Sequence, residues 1–385
     1  MATSHVSAHP YLPVARTAVD DSVVARVSAL LLSGEITGRA QVEALERSLS
    51  VYLGGRRVRA VSSASAAIEL ALRICGIGPG DEVIIPALSP VAPHLVVKVG
   101  ATPVFVDVEP GTRHLDLTAA EARVGPRTRA LIPAHVAGLP MPLDDLYSLA
   151  RRHRLRVIED LAGALGASWR GKRIGSCGDI CVFDFGANET FTTIEGGALS
   201  FAEEEDAREL DRPRFRDDAP PPAGARVAAL AGEQFIMPEL HAAIGVPQLE
   251  ELSLVMRKRH ALVQRYYAGF RSDFPCVLPH PGYSGDEAGH GWHSFAPLLP
   301  VHRLSISRQQ FRDELERRGI GTAVPRAATH LDRAFRDLGY RRGDLAHAER
   351  IADTAVTLPL SPAMTDSDID RVCAACAEVL RSSQT

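Results

Sequence analysis

The run Gly178-Asp-Ile-Cys-Val-Phe-Asp-Phe-Gly-Ala-Asn-Glu-Thr-Phe-Thr-Thr-Ile-Glu-Gly-Gly197 decides the fold of this chain. Ser176 to Phe185 is rich in β-branched and aromatic residues and reads as a strand, and Gly197 to Phe201 reads as another. Between them lies a polar loop carrying Asn188, Glu189, Thr192 and Thr193 and closed by a Gly-Gly pair. Asp184 ends the first strand and Glu189 sits in the loop, so two carboxyl groups are set close together in sequence.

Further strand-like runs lie upstream, at Glu82–Pro86, Thr102–Asp107, Ala130–Pro133 and Arg156–Glu159. Helical spacing covers Ser22–Leu32, Gln41–Tyr52, Ser65–Cys75 and Pro142–His153. Strands alternating with helices imply parallel βαβ units with right-handed crossovers, hence an α/β sheet. Arg212–Gly224, rich in Pro, Arg and Asp, reads as a mobile loop. Helical spacing over Met237–Phe270 is expected to bridge to a smaller C-terminal domain. That domain is expected to hold strands near Ser294–Pro300 and helices at Ser307–Arg318, Ala346–Thr354 and Asp366–Arg381. The expected division is 1–250 for the large domain, with 1–30 as an N-terminal arm, and 251–385 for the bridging helix and small domain.

The 385 residues suffice for a large core, and 45% apolar with 23% charged residues is the balance of a soluble globular chain. A net charge of −4 gives no reason to expect a nucleic acid or an anionic membrane as partner. Met1–Asp20 has no apolar leader segment and no run of about 18 apolar residues occurs, which points to the cytoplasm. Cys373 and Cys376 form the one C-x-x-C pair, in an Ala-rich helical stretch where small packing residues are the expected reading, and no spacing specifies a metal site.

The opening run resembles the active-site strand and loop of the DegT/StrS-type sugar aminotransferases, a pyridoxal phosphate (PLP) family, in which it reads roughly G-D-x-x-x-F-S-F-x-x-x-K-x-x-T-x-x-E-G-G. The resemblance extends to Gly76–Val83, Gly100–Asp107, Arg127–His135, Val157–Asp160 and Pro238–Gly245, in the same order along the chain. It implies the fold type I aminotransferase architecture: a mainly parallel seven-stranded sheet with helices on both faces, a small C-terminal α+β domain, and a homodimer with active sites at its interface. It also implies that the Schiff-base lysine falls on Glu189. The chain has three lysines, Lys98, Lys172 and Lys258, and none occupies that position.

Other positions depart as well. The resemblance places Asp160 opposite the cofactor's ring nitrogen and Ser65 at its phosphate, within Ser62-Ser-Ala-Ser-Ala-Ala67. The phosphate-binding serine becomes Asp184, and a unit-charge pair at ~4 Å costs about 4 kcal/mol at an effective dielectric of about 20. Pro90 replaces the stacking aromatic, Gly163 a glutamine, and Gln234 the asparagine that crosses from the neighbouring subunit. If the fold holds, Asp160, Asp184 and Glu189 converge on one cavity, where mutual repulsion raises at least one pKa, as general acid–base work requires. Ser65, His135, Asn188, Thr192, Gln234, His293, Arg326 and His330 are the candidate substrate contacts. Each has a plainer use: His135 as a satisfied core residue, Thr192 and Thr193 as turn residues, Asp184 in a structural ion pair.

Three functions stay open at this point. One is a cofactor-independent enzyme of a natural-product pathway, with Glu189, Asp160 and Asp184 carrying acid–base isomerisation, elimination or cyclisation. Its substrate is a sugar or an amine-bearing intermediate, a cation suiting an acidic pocket. Another is a silent partner subunit of a PLP-bearing paralogue, in a heterodimer. The third is a dehydratase or transaminase that binds PLP or its amine form PMP without a covalent link.

Overall fold

The computed structural model describes residues 10–17, 20–215, 235–273 and 288–384. Gln234 and the part of the expected loop beyond Phe215 lie outside them, as does Cys276. In chain order the main elements are α1 (Asp21–Ser33), α2 (Ala40–Tyr52), β1 (Arg57–Val61), α3 (Ala64–Ile74), β2 (Glu82–Pro86), α4 (Ala92–Lys98) and β3 (Thr102–Val106). There follow α5 (Leu117–Ala122), β4 (Thr128–Leu131), α6 (Leu143–His153), β5 (Arg156–Asp160), the short β6 (Ser168–Trp169) and β7 (Lys172–Arg173), β8 (Ile180–Asp184) and β9 (Gly197–Phe201). Then come α7 (Glu204–Phe215), α8 (Glu239–Asp273), β10 (Ala288–Gly289), α9 (Arg308–Arg317), α10 (Ala346–Thr354) and α11 (Asp366–Ser382).

Seven strands form the central sheet in the order β1-β9-β8-β5-β4-β2-β3. β9 runs antiparallel to both β1 and β8, while β8, β5, β4, β2 and β3 pair in parallel, so the sheet is mainly parallel as the alternation implies. Pro103, which has no N–H to give a ladder, lies in β3 at the edge of the sheet. The buried strand β8 alternates sides: Cys181 and Phe183 enter one core with Leu45, Leu146 and Val157, and Ile180 and Val182 enter the other with Ile68, Leu72 and Ile85. Strands buried on both faces need helices on both faces, and these two cores are where the helices pack.

The N-terminal end of α2 is held by a distant carboxylate. Its N-cap residue Arg39 gives no side-chain cap, and Glu239 in the first turn of α8 accepts from Gln41 N at 2.8 Å and Val42 N at 3.1 Å instead. A third core joins Leu262, Tyr266 and Phe270 of α8 to Phe295, Phe311 of α9 and Val372 of α11. Cys376 is buried in it, and Cys373 packs at its edge on Gly269 of α8, where an added Cβ would lie 2.8 Å from the Cys373 Sγ. Both serve as packing residues.

Two expectations are corrected. Ser294–Pro300 forms no regular strand; Phe295 and Leu298 make isolated bridges to Leu358 and Ala355. Pro297 and Pro300 lack the donors a continuous ladder needs. Arg212–Phe215, read as loop, continue α7. No described helix is long and apolar enough to cross a membrane.

Candidate active site

β8 delivers the site. Past its last residue the chain folds back on itself: Phe185 N donates to Gly196 O at 3.0 Å and Thr193 N to Phe185 O at 3.0 Å. Phe191 is buried edge-on against Phe185, with centroids 4.8 Å apart. Thr192 ties the loop from inside, its hydroxyl donating to Phe185 O and accepting from Ile194 N, while Gln248 of α8 brackets its backbone N and O. Thr192 and Thr193 are therefore buried braces of the loop, and the structure gives them the turn role and no access to a substrate. The loop's free turn, closed by Glu189 N donating to Gly186 O, presents Asn188 and Glu189 to a cavity of about 740 Å³. That volume is the size of a small-molecule site.

Glu189 meets His293 there, with Nδ1 lying 3.3 Å from Oε2. The angle is not that of a formed hydrogen bond, and Nδ1 has no other partner among the described residues. His293 is fixed through its backbone: its N donates to Ala137 O at 3.0 Å, and the buried Arg259 of α8 donates to the carbonyls of Trp292 and His293. Room for the imidazole comes from Gly163, where a Cβ would lie 2.5 Å from the His293 Cγ and φ is +76°. The departure at 163 and the histidine at 293 are thus one steric unit. Gly163→Ala is expected to push His293 off Glu189 and to lower the unfolding temperature. Proton NMR of the His293 ring with denaturation curves checks this; an unshifted ring resonance at unchanged stability would refute it.

Electrostatics set the proton count of the pair. Burial, reinforced by the charges of Asp184 and Asp160 and opposed by Arg326 and Arg259, raises the Glu189 carboxyl to about 8. Burial together with Arg259 and Arg326 lowers His293 to about 3. At neutral pH the proton therefore rests on the acid and the imidazole is neutral.

Asp160 and Asp184 do not line the cavity and reach Glu189 through their charge. Asp160, at the end of β5, accepts from Ala162 N at 3.0 Å. Asp184 accepts from Gly186 N at 2.8 Å, and burial raises its pKa. His135 and His330 lie elsewhere, each nearly fully buried against a carboxylate, Glu159 at 3.0 Å and Glu349 at 3.2 Å. Core carboxylates claim both rings, so neither faces the cavity. Ser65 and Pro90 are exposed, and neither borders the cavity.

The expectation of an acidic pocket is also corrected. Arg16, Arg113, Lys258, Arg259 and Arg326 line the cavity against Asp20, Glu189 and Glu251, so its wall is net cationic. Sequence reading missed Arg113 and Arg259. Arg259 has a visible signal, a lone arginine seven residues before Tyr266 and three before Leu262 on the buried face of α8; Arg113 has none.

A vitamin B6 cofactor asks such a site for an anchoring amine, a carboxylate at the ring nitrogen and donors at the phosphate. No lysine stands at the Glu189 position: Lys98 is held by Glu69 at 2.6 Å, Lys172 is exposed in β7, and Lys258, exposed on α8, borders the cavity from another element. The other two requirements are met. Asp160 keeps its place at the strand end, and α3 opens beside β9 with Ser63 capping Ala66 N at 3.1 Å, where a Cβ added at Gly197 would lie 2.7 Å from the Ala64 N. Asp184, with one oxygen turned to Gly186, stands less starkly against a phosphate than its sequence position implies. The residues fit a cofactor held without a covalent bond.

The chain matches the model of the DegT/DnrJ/EryC1/StrS aminotransferase family over residues 18–377. It is 26% identical to a putative sugar aminotransferase, Spr1654, from Streptococcus pneumoniae, solved in PLP and PMP forms, with a TM-score of 0.88 over 97% of this chain and 99% of that one. DesV of S. venezuelae, solved with a ketimine intermediate, is 29% identical with a TM-score of 0.85, over 96% of this chain and 98% of that one. The aminotransferase TlmJ from Streptoalloteichus hindustanus is 26% identical with a TM-score of 0.87, over 96% and 99%. With the sheet order, the Glu189 loop and the family match in agreement, this chain belongs to the DegT/DnrJ/EryC1/StrS aminotransferase family.

Proposed function

We propose that this chain is a sugar-modifying enzyme with Glu189 in place of a Schiff-base lysine, which holds PLP or PMP without a covalent link and moves protons with Glu189 and His293. The observation that carries the reading is the Glu189–His293 pair, 3.3 Å apart at the former anchor, with its proton on the acid at neutral pH. The cofactor part rests on Asp160, on the start of α3, and on relatives solved in PLP and PMP forms. The expectation of no cofactor gives way to its alternative on that ground. When bound, the cofactor supplies an electron sink for charge left by breaking a bond beside a nitrogen.

The rest falls to the chain. Asp160 would hold the cofactor's ring nitrogen, and the amides at the start of α3 its phosphate. Glu189, protonated, is the general acid; once it has given its proton to the substrate, the neutral His293 Nδ1 beside it takes one from the substrate and passes it to Glu189, which restores the pair. Arg259 keeps the imidazole in place. The substrate is a small molecule of sugar type taken into the 740 Å³ cavity, and the working unit is a homodimer.

A second reading, acid–base chemistry with no cofactor at all, draws on Asp184 and Asp160 acting on Glu189 where a phosphate would otherwise be welcome. Absorbance titration with PLP and PMP, followed by dialysis, separates the two. Saturable binding of either that dialysis reverses supports the first. No binding at millimolar concentration removes it and leaves the second.

A further inference from the structure

One cation in the cavity wall, with Tyr267 near it, is answered by no carboxylate among the described residues. Arg113 follows β3 in the tight turn between Glu109 and His114, where Glu109 N donates to His114 O at 2.9 Å and Arg113 N to Glu109 O at 2.7 Å. Its φ is +65°, a left-handed conformation that costs any residue with a Cβ. The residue is 3% exposed and lines the cavity, and its Nε has no hydrogen-bond partner among the described residues. Among the described residues no carboxylate pairs with its guanidinium. Burial draws its pKa down only to about 10, so it is charged at neutral pH. A buried charge with no counter-ion is one of the costliest features a fold can carry.

The other wall groups do not resolve it. Arg259 is spent on the Trp292 and His293 carbonyls. Asp20 caps α1 by accepting from Val23 N, and Glu251 is exposed. Glu189 is neutral at pH 7 and feels Arg326 and Arg259 rather than Arg113. Arg326 lines the same cavity, gives one N–H to Leu88 O at 3.1 Å, and has no carboxylate partner among the described residues.

We propose that Arg113 seats an oxyanion of the substrate, a carboxylate or a phosphate group, in the wall of the cavity, with Arg326 as the second cation. The planar guanidinium offers parallel N–H donors that match either group two-to-two. The inference rests on the cavity being the substrate site and sharpens that reading: the substrate is acidic, in place of the amine-bearing cation that the sequence alone favoured. It makes Arg113 a specificity residue set apart from the Glu189–His293 chemistry.

Thermal unfolding of the full chain tests this in buffers of matched ionic strength containing sodium chloride, sodium acetate or inorganic phosphate. The expected result is that acetate or phosphate raises the unfolding temperature above that in chloride, in a saturable way. A response to phosphate alone assigns a phosphate group, and a response to acetate assigns a carboxylate. Arg113→Met is expected to weaken that anion at least tenfold. In chloride it is expected to unfold at the same temperature as the native chain or higher, because it removes an uncompensated buried charge. Arg113→Lys, which keeps the charge but not the fork, is expected to retain a weaker response. The proposal is overturned if neither anion exceeds chloride, or if Arg113→Met responds like the native chain, as it would were the anion sitting at α3. Lower stability of Arg113→Met in chloride would also overturn it, by revealing a structural partner. None of these outcomes alters the PLP and PMP titration, so either reading can fail alone.

Discussion

Glu189→Gln is expected to lose activity and gain stability at once. Removing a positioned general acid costs roughly 10²- to 10⁴-fold in kcat/KM. The native chain's activity is expected to fall as pH rises through about 8, where Glu189 gives up its proton, and that limb is absent from the variant. For stability, the folded pKa of about 8 lies above the ordinary 4.5, so the native state holds a proton that the unfolded chain has released between those values. Folding is therefore unpenalised below pH 4.5 and increasingly penalised as pH rises to 8. Glutamine carries no such penalty. One pKa unit is about 1.4 kcal/mol, and partial exposure of the carboxyl trims the full linkage to roughly 2–4 kcal/mol. Urea unfolding at pH 4.5 and pH 9 is expected to show near-equal stabilities at the lower pH and a more stable variant at the higher. A variant equal to the native chain at both would mean that Glu189 titrates normally.

Arg259→Met is expected to be the most destabilising single change at the site. Arg259 is 4% exposed on α8, and it donates to two backbone carbonyls in the turn that carries His293. Methionine fills the stem's volume but leaves both buried acceptors empty, at roughly 1–3 kcal/mol each. A total of about 3–5 kcal/mol is the upper part of the range for single substitutions. The variant also removes a cation that holds His293 low and Glu189 down, so both pKa values move upward. Denaturant unfolding measures the first effect and ring-proton titration of His293 the second. A loss under 1 kcal/mol would show that water or a neighbouring side chain takes over the two carbonyls.

The sheet was readable because its signal is local. Runs such as Glu82-Val-Ile-Ile-Pro86 and Arg156-Val-Ile-Glu159 carry their burial in their own composition, and helices such as Leu143–His153 carry theirs in apolar spacing. Glu189 was readable because one strand and one loop position it. What failed to show was pairing across distance. His135 and His330 look like site histidines until Glu159 and Glu349 are seen to hold them. His293 was singled out, yet its dependence on Gly163, 130 positions earlier, is steric and leaves no trace in either local sequence. The charge of the cavity was misjudged for the same reason. The conspicuous acids lie together in sequence, whereas Arg113, Arg259 and Arg326 arrive from three separate segments. The missing strand at Ser294–Pro300 shows composition overruled by two prolines.

Glu189, standing where the resemblance to the family places a lysine, is a neutral, proton-bearing acid at pH 7. Infrared difference spectra between the native chain and Glu189→Gln, recorded across pH, observe that proton directly. The account predicts a protonated-carboxyl carbonyl band at pH 7 that belongs to Glu189 and disappears as pH passes about 8. An ionised-carboxylate signature for Glu189 already in place at pH 6 would contradict it.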